Sequence, residues 1–383
     1  MALRRTLLAA VVVMVFAAWA LAAALRVELP RAAGPVTIVV TSAADSTAPA
    51  AVCPDDTRCT LRRAIELANA DASGSPVVIT FSPNTFPGIA PALIRPSTPL
   101  PIVTRAQVTI EATGLGVIVD GSTIVAPNTD GFTFTGAEPV IRGMIIRRFT
   151  GTCVAVLAPG AVIGGDVSAP QANRIDDCAT GIALRGASAQ VMGNRIGLAS
   201  APDVMTTGVL VAGFDATIGG LSGAGPFAGN TIGNAVLAIR VGESTGPVIG
   251  GPPIARNTIG ADGATAAFVG TGVTIGPSAS NVRVVQNTIT NAGVGVTVSA
   301  DAGGVSSTGN RIQSNRFGTI PGMAIDLGGG GTYNPSDPGD ADLGPNKLII
   351  SGIAMFDFDG DGAMEVAVGG FGNGPQSQGG LAW

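Results

Sequence analysis

The chain has 383 residues, 46% apolar and only 4% aromatic, so it can build a large core, and that core must be aliphatic. It holds one lysine, Lys347, and no histidine, with a net charge of −5. That balance argues against a nucleic-acid partner, which needs clustered cations, and excludes histidine-dependent nucleophiles and metal clusters.

Residues 1–24 resemble an export segment. Arg4 and Arg5 precede an uncharged apolar run from Thr6 to Leu25, and Ala20-Leu21-Ala22 and Ala22-Ala23-Ala24 offer small-residue cleavage sites. The run is also long enough to span a bilayer, so a cleaved signal peptide and a retained N-terminal anchor both stay open. Either places the bulk of the chain outside the cytoplasm, secreted or at the cell surface, with membrane contact expected only if the segment is retained.

Residues 36–94 predict an N-terminal cap. A strand-like run at 36–41 leads into a cysteine-bounded loop, and then Thr60 can cap a helix with Leu61, Ala64, Ile65 and Ala68 on one face. A second strand-like run follows at 77–81. In an exported chain the four cysteines suggest disulfides. Cys53 and Cys59 can close a small loop. Cys153 and Cys178 lie about one repeat apart, close enough to bridge stacked coils ~4.8 Å apart. Aligning the repeats sets Cys178 opposite Phe149, so such a bridge runs diagonally; two buried free thiols are the alternative.

From 95 to 345, short apolar runs follow one another between Gly, Pro, Asn and Ser, with no second helix signal. They fall at 108–110, 117–119, 132–134, 140–146, 154–157, 182–184, 209–211, 236–239, 273–275, 282–285 and 296–298. Among them Asn-x-Ile recurs at Asn173, Asn194, Asn230, Asn257, Asn287 and Asn310, at gaps of 21, 36, 27, 30 and 23 residues. A unit of that size cannot bury its apolar face alone and must stack. Three short strands per turn with no intervening helix predict an all-β, right-handed parallel β-helix, a solenoid with a short N-terminal capping helix. The asparagines are expected to form an inward ladder of side-chain amides at one corner.

The segment Cys59-Thr60-Leu61-Arg62-Arg63-Ala64-Ile65 resembles the Cys-Ser-Leu-Arg-Glu-Ala-Ile box of CSLREA-domain proteins, with Thr60 for Ser and Arg63 for Glu. The strands around it, the stretch Ile118-Val119-Asp120-Gly121-Ser122, three Ile-Gly-Gly triplets at 163–165, 218–220 and 249–251, and the segments 324–328 and 340–346 are similar to that family as well. The resemblance covers about residues 36–350. It implies an exported bacterial β-helix used as a surface or secreted scaffold, adhesive or structural, with host, cell-surface or glycan ligands.

Many β-helices act on polysaccharides, so an enzyme reading stands beside the scaffold. Asn128-Thr129-Asp130-Gly131 and Asp176-Asp177-Cys178 resemble polygalacturonase pieces, but the Gly-His-Gly site of that family is missing. A lyase or hydrolase acting on acidic glycans would draw on Asp176 and Asp177 with Arg147 and Arg174, and Arg148 nearby. The same residues on a solvated face would be ordinary ion pairs. Exposed Trp and Tyr, which stack on sugar rings, are scarce.

The tail, 346–383, carries an acidic loop with donors at Asp357, Asp359, Asp361 and Glu365, a backbone carbonyl at Ala363, and Gly362 for the turn. Those are positions 1, 3, 5, 9, 7 and 6 of a calcium loop; position 12 is Val368, which excludes an EF-hand. The loop resembles FG-GAP-type calcium repeats and implies Ca²⁺ as the cofactor, against a merely solvated acidic turn. Asp337, Asp340 and Asp342 form a second acidic loop, expected to be a solvated turn.

Overall fold

The computed structural model describes residues 34–45, 53, 58–165, 171–198, 204–220, 229–242, 249–250, 252–277, 279–299 and 309–328, and the backbone of 348–356, 365–372 and 381–382. The N-terminal apolar run and the calcium-loop positions Asp357, Asp359, Asp361 and Ala363 lie outside them, as do Asp337, Asp340 and Asp342. Glu365 is described in backbone only. No helix among the described residues is long and apolar enough to cross a membrane.

The chain winds as a parallel β-helix of three sheets. The first has ten strands, from Val36–Val40 to Arg311–Gln313; the second has nine, from Ala92–Ile94 to Arg316–Phe317; the third has eight, from Phe132–Phe134 to Ile325–Gly328. From Val108 onward each coil contributes one strand to each sheet, and all pairing between coils within these three sheets is parallel. The apolar run expected at 140–146 divides in two. Gly143, at φ 71°, turns the chain between Val140–Arg142 of the first sheet and Met144–Arg147 of the second. A side chain there would strike the backbone of Ala112 and Thr113 one coil away, at 2.6–2.7 Å from its Cβ.

Inward positions stack into aliphatic columns because the pleat repeats in register from coil to coil. In the first sheet Ile79, Ile110, Ile141, Ile163, Val191, Ile218, Ile254 and Val284 lie on one line, each at most 1% exposed. The isoleucines of the Asn-x-Ile phrases line the second sheet in the same way, with Ile175, Ile196, Ile232, Ile259 and Ile289 at 0%. Each such side chain gains roughly 1.5–3 kcal/mol from burial.

The asparagines form the expected ladder. Asn173 Nδ2 donates to Asn194 Oδ1 at 3.0 Å, Asn194 to Asn230 at 3.0 Å, Asn230 to Asn257 at 2.9 Å, and Asn257 to Asn287 at 3.0 Å. Each Oδ1 from Asn194 onward also accepts the backbone N–H of the asparagine one coil earlier, at 2.9–3.2 Å. Each Nδ2 donates a second time to a first-sheet carbonyl, as Asn230 does to Val191 O at 2.8 Å. Every donor and acceptor at this buried corner is therefore used. Asn310 departs from the expectation. It sits one strand earlier, accepting from Val282 N at 2.9 Å, and the ladder continues instead through Asn315, whose Oδ1 accepts from Asn287 Nδ2 at 3.0 Å. The reason is register: Arg311 pairs with Arg283 in the first sheet, whereas Arg316, just after Asn315, pairs with Thr288 in the second.

Helix Leu61–Ala70 covers the first coil. Thr60 Oγ1 accepts from Arg63 N at 3.3 Å as the N-cap, and Leu61, Ala64, Ile65 and Ala68 are fully buried. Arg62, only 6% exposed, clamps the helix by an ion pair to Asp45 at 2.9 Å and by donating to Pro99 O at 2.7 Å and Thr98 O at 2.8 Å. Both disulfides are present: Cys53–Cys59 beside the helix, and Cys153–Cys178 between adjacent coils with Cα atoms 5.8 Å apart. Asp176 pairs with Arg147, which carries Cys178 opposite Phe149 and makes the second bridge diagonal.

Replacing Asn230 with Ala should strand the backbone N–H of Asn194 and remove one partner each from its side-chain amide and from the carbonyl of Val191. At about 1–3 kcal/mol for a buried polar group left unpaired, thermal unfolding of Asn230→Ala should show a loss of about 3 kcal/mol. Asn310→Ala should cost less than a third of that.

Candidate functional site

The Arg and Asp residues singled out above meet on the outward side of the second sheet. Asp120, Arg147 and Asp176 occupy equivalent positions on three successive strands, Val117–Asp120, Met144–Arg147 and Arg174–Asp176. Arg147 Nε lies 2.8 Å from Asp120 Oδ2, and Arg148 Nη1 lies 3.4 Å from the same oxygen. The other oxygen of Asp120 accepts from Ser122 N at 3.1 Å and so starts the 3-10 turn Gly121–Thr123. One coil past Arg147, Asp176 Oδ2 takes Arg174 Nε at 2.6 Å, while its Oδ1 accepts from Leu198 N at 3.0 Å. Asp177, at φ 54°, lies at the turn, with Arg148 Nε 4.0 Å from its Oδ2.

Within this column Asp120 and Asp176 act as braces between coils. A general acid or base needs an oxygen that reaches the substrate. Asp120 and Asp176 are 0% and 2% exposed, and both oxygens of each are engaged by N–H donors. Burial raises the Asp120 carboxyl, and it is the largest single influence. The Ser122 N–H and hydroxyl and the Arg147 guanidinium together outweigh it and hold the group below the ordinary carboxylate value. Asp130, from the other tempting fragment, is bonded by Thr152 N at 2.7 Å and so serves the third sheet. Asp120 was absent from the sequence-derived set, although it repeats the strand position of Asp176 two coils earlier, which is the signal that would have found it.

The outer face of the first sheet carries a shallow trough of about 430 Å³. Its floor is Thr109, Val140, Val162 and Gln190, one from each of four successive strands; its rim is Gln107, Glu138, Gly160 and Ser188, from the turns before them. Gln107 Nε2 donates to Glu138 Oε2 at 2.9 Å across two coils. Three of the four coils offer a polar side chain here, the coil of Gly160 and Val162 offers none, and the lining contains no aromatic ring. Among the described residues no group of three His, Cys, Asp or Glu is placed to hold a metal ion.

No protein-family model matches the chain, and neither does any curated protein. Among solved structures, the A-module of the mannuronan C-5 epimerase AlgE6 from Azotobacter vinelandii is similar at 14% identity and a TM-score of 0.37. The match covers 72% of this chain and 93% of that module.

The ion pairs carry a pH signature. The Asp45 carboxyl, like that of Asp120, is raised by burial but held below its ordinary value by Arg62 and Ser97. Folded values below the unfolded ones mean that this stability is fully present above about pH 4 and is lost as pH falls through the lower folded value. Asp45→Asn should therefore unfold at a lower temperature than the parent at pH 7. That gap should close on titration to pH 2–3, as followed by circular dichroism.

Proposed function

We propose that the protein is an exported, non-catalytic β-helix scaffold, adhesive or structural, that presents its outward faces to host, cell-surface or glycan ligands. The observation that carries this reading is the saturation of Asp176, one of the two carboxylates the enzyme alternative would draw on, and of Asp120 beside it in the same column: both are engaged in bracing the coils. The two disulfides support export, since such bonds persist in oxidising compartments. The likeness of the box at 59–65 to that of CSLREA-domain proteins supports the same reading, and Cys59, Thr60, Leu61, Arg62, Ala64 and Ile65 of the box help to close the first coil.

Incubation with polyuronates and other acidic glycans, with and without Ca²⁺, should yield no shortened or unsaturated products. Product release that Asp177→Ala abolishes would replace the scaffold by a polysaccharide lyase or hydrolase.

The same proposal gives the tail a Ca²⁺ site at Asp357, Asp359, Asp361, the Ala363 carbonyl and Glu365. Its support is the acidic spacing together with the pairing of Phe356 opposite Glu365, which brings the two ends of that loop side by side. Bound there, Ca²⁺ would neutralise the clustered carboxylates and order the turn. Titration calorimetry should show binding of Ca²⁺ at millimolar concentration or below, lost in Asp359→Ala.

A further inference from the structure

The two ends of the stack are finished differently. At the start, the helix Leu61–Ala70 lays four fully buried side chains on the first coil. At the other end the inward columns stop at Ile312, Phe317 and Leu327, which are only partly buried. The residues stacked immediately before them, Val284, Ile289 and Val298, are 0%, 0% and 5% exposed. The strands Arg311–Gln313, Arg316–Phe317 and Ile325–Gly328 are the last of their sheets, so each leaves one edge without a strand partner among the described residues. An apolar rim over open edges invites association, and solenoids cover it.

This end is also basic. Arg283 and Arg311 are both exposed and directly opposite each other on adjacent strands, a repulsive arrangement unless an anion lies over them. Arg316 is exposed on the neighbouring sheet, and none of the three is paired with a carboxylate among the described residues.

The chain itself supplies an occupant of the matching chemistry. Residues 329–383 hold seven carboxylates against Lys347 alone, a net of −6, which leaves +1 for the remainder of a chain of net −5. Strands Leu348–Phe356 and Glu365–Gly372 pair antiparallel, with Leu381–Ala382 beside the second. A register shift between Ile350 and Gly352 exchanges the faces part-way along the first of these strands, and both resulting sets of positions are apolar: Leu348, Ile350, Ile353 and Met355 in one, Ile349, Ala354 and Phe356 in the other. So small a sheet is marginal alone in water, and an apolar residue set on each face requires cover. The 19 residues from 329 to 347 can extend to about 60 Å, ample to return the hairpin to its own rod.

We propose that this acidic, two-faced apolar hairpin docks on the open end of its own β-helix. There it covers Ile312, Phe317 and Leu327 and sets its carboxylates against Arg283, Arg311 and Arg316. The inference is independent of the scaffold reading, and it is tested without added Ca²⁺, because an ion bound at the loop would compete with the arginines for four of these carboxylates.

Hydrogen exchange on the full chain tests it, read by mass spectrometry on peptides covering 309–328. The parent should exchange there at least tenfold more slowly than Ile353→Asp, with equal protection over 108–192 showing that the rod remains folded. Protection in the parent should be unchanged by tenfold dilution, with light scattering reporting a monomer. Arg311→Glu combined with Arg316→Glu, which leaves the hairpin sequence intact, should raise exchange in the same peptides. Equal exchange in the parent and both variants would overturn the proposal. So would protection that disappears on dilution together with a dimer, which would make a second copy the occupant.

Discussion

The fold depends on a buried polar corner that satisfies itself. A chain that bends sharply three times per coil must leave amide and carbonyl groups facing an aliphatic interior. In water those groups would be paired, and inside they cost free energy unless partners are built in. The ladder from Asn173 to Asn315 answers that requirement with one residue per coil, because an amide side chain both donates and accepts. With the corner settled, the rest of each coil can be given to stacked Ile and Val.

The outward Asp–Arg column shows the same logic where the chain meets solvent. Asp120 and Asp176 each hold a turn by a backbone N–H and steady a neighbouring guanidinium, so the charges are spent on shape. The cross-coil disulfide between Cys153 and Cys178 lies two residues past Asp176, and both half-cystines, like Phe149, belong to the buried core. Covalent, ionic and apolar restraints thus coincide on one stretch of the rod.

Much of this architecture was legible in the sequence, since a stacked structure writes its period into the chain. The Asn-x-Ile spacing, the helix after Thr60 and the diagonal cysteine pair all follow from local pattern and coil geometry. Asn310 shows where that legibility ends. It obeys the same local phrase as the ladder residues, and only pairing with the preceding coil shows that it begins a first-sheet strand instead. Asp176 was legible as a residue type and illegible in role, because spacing does not tell whether a carboxylate is open to a substrate or closed by Leu198 N. The trough on the first sheet left no trace at all, being made from unremarkable Thr, Val and Gln that happen to align.

The ladder has a consequence for how such a chain can vary. Successive ladder asparagines are separated by 21 to 36 residues, yet their side chains meet at a nearly constant 2.9–3.0 Å. Each asparagine therefore resets the rotational phase of the winding, and any surplus of residues must be extruded sideways before the next one arrives. Length changes are uncoupled from the axis. The lateral excursions can be rewritten freely, as drawers can be exchanged in a cabinet whose frame is pinned at a single corner.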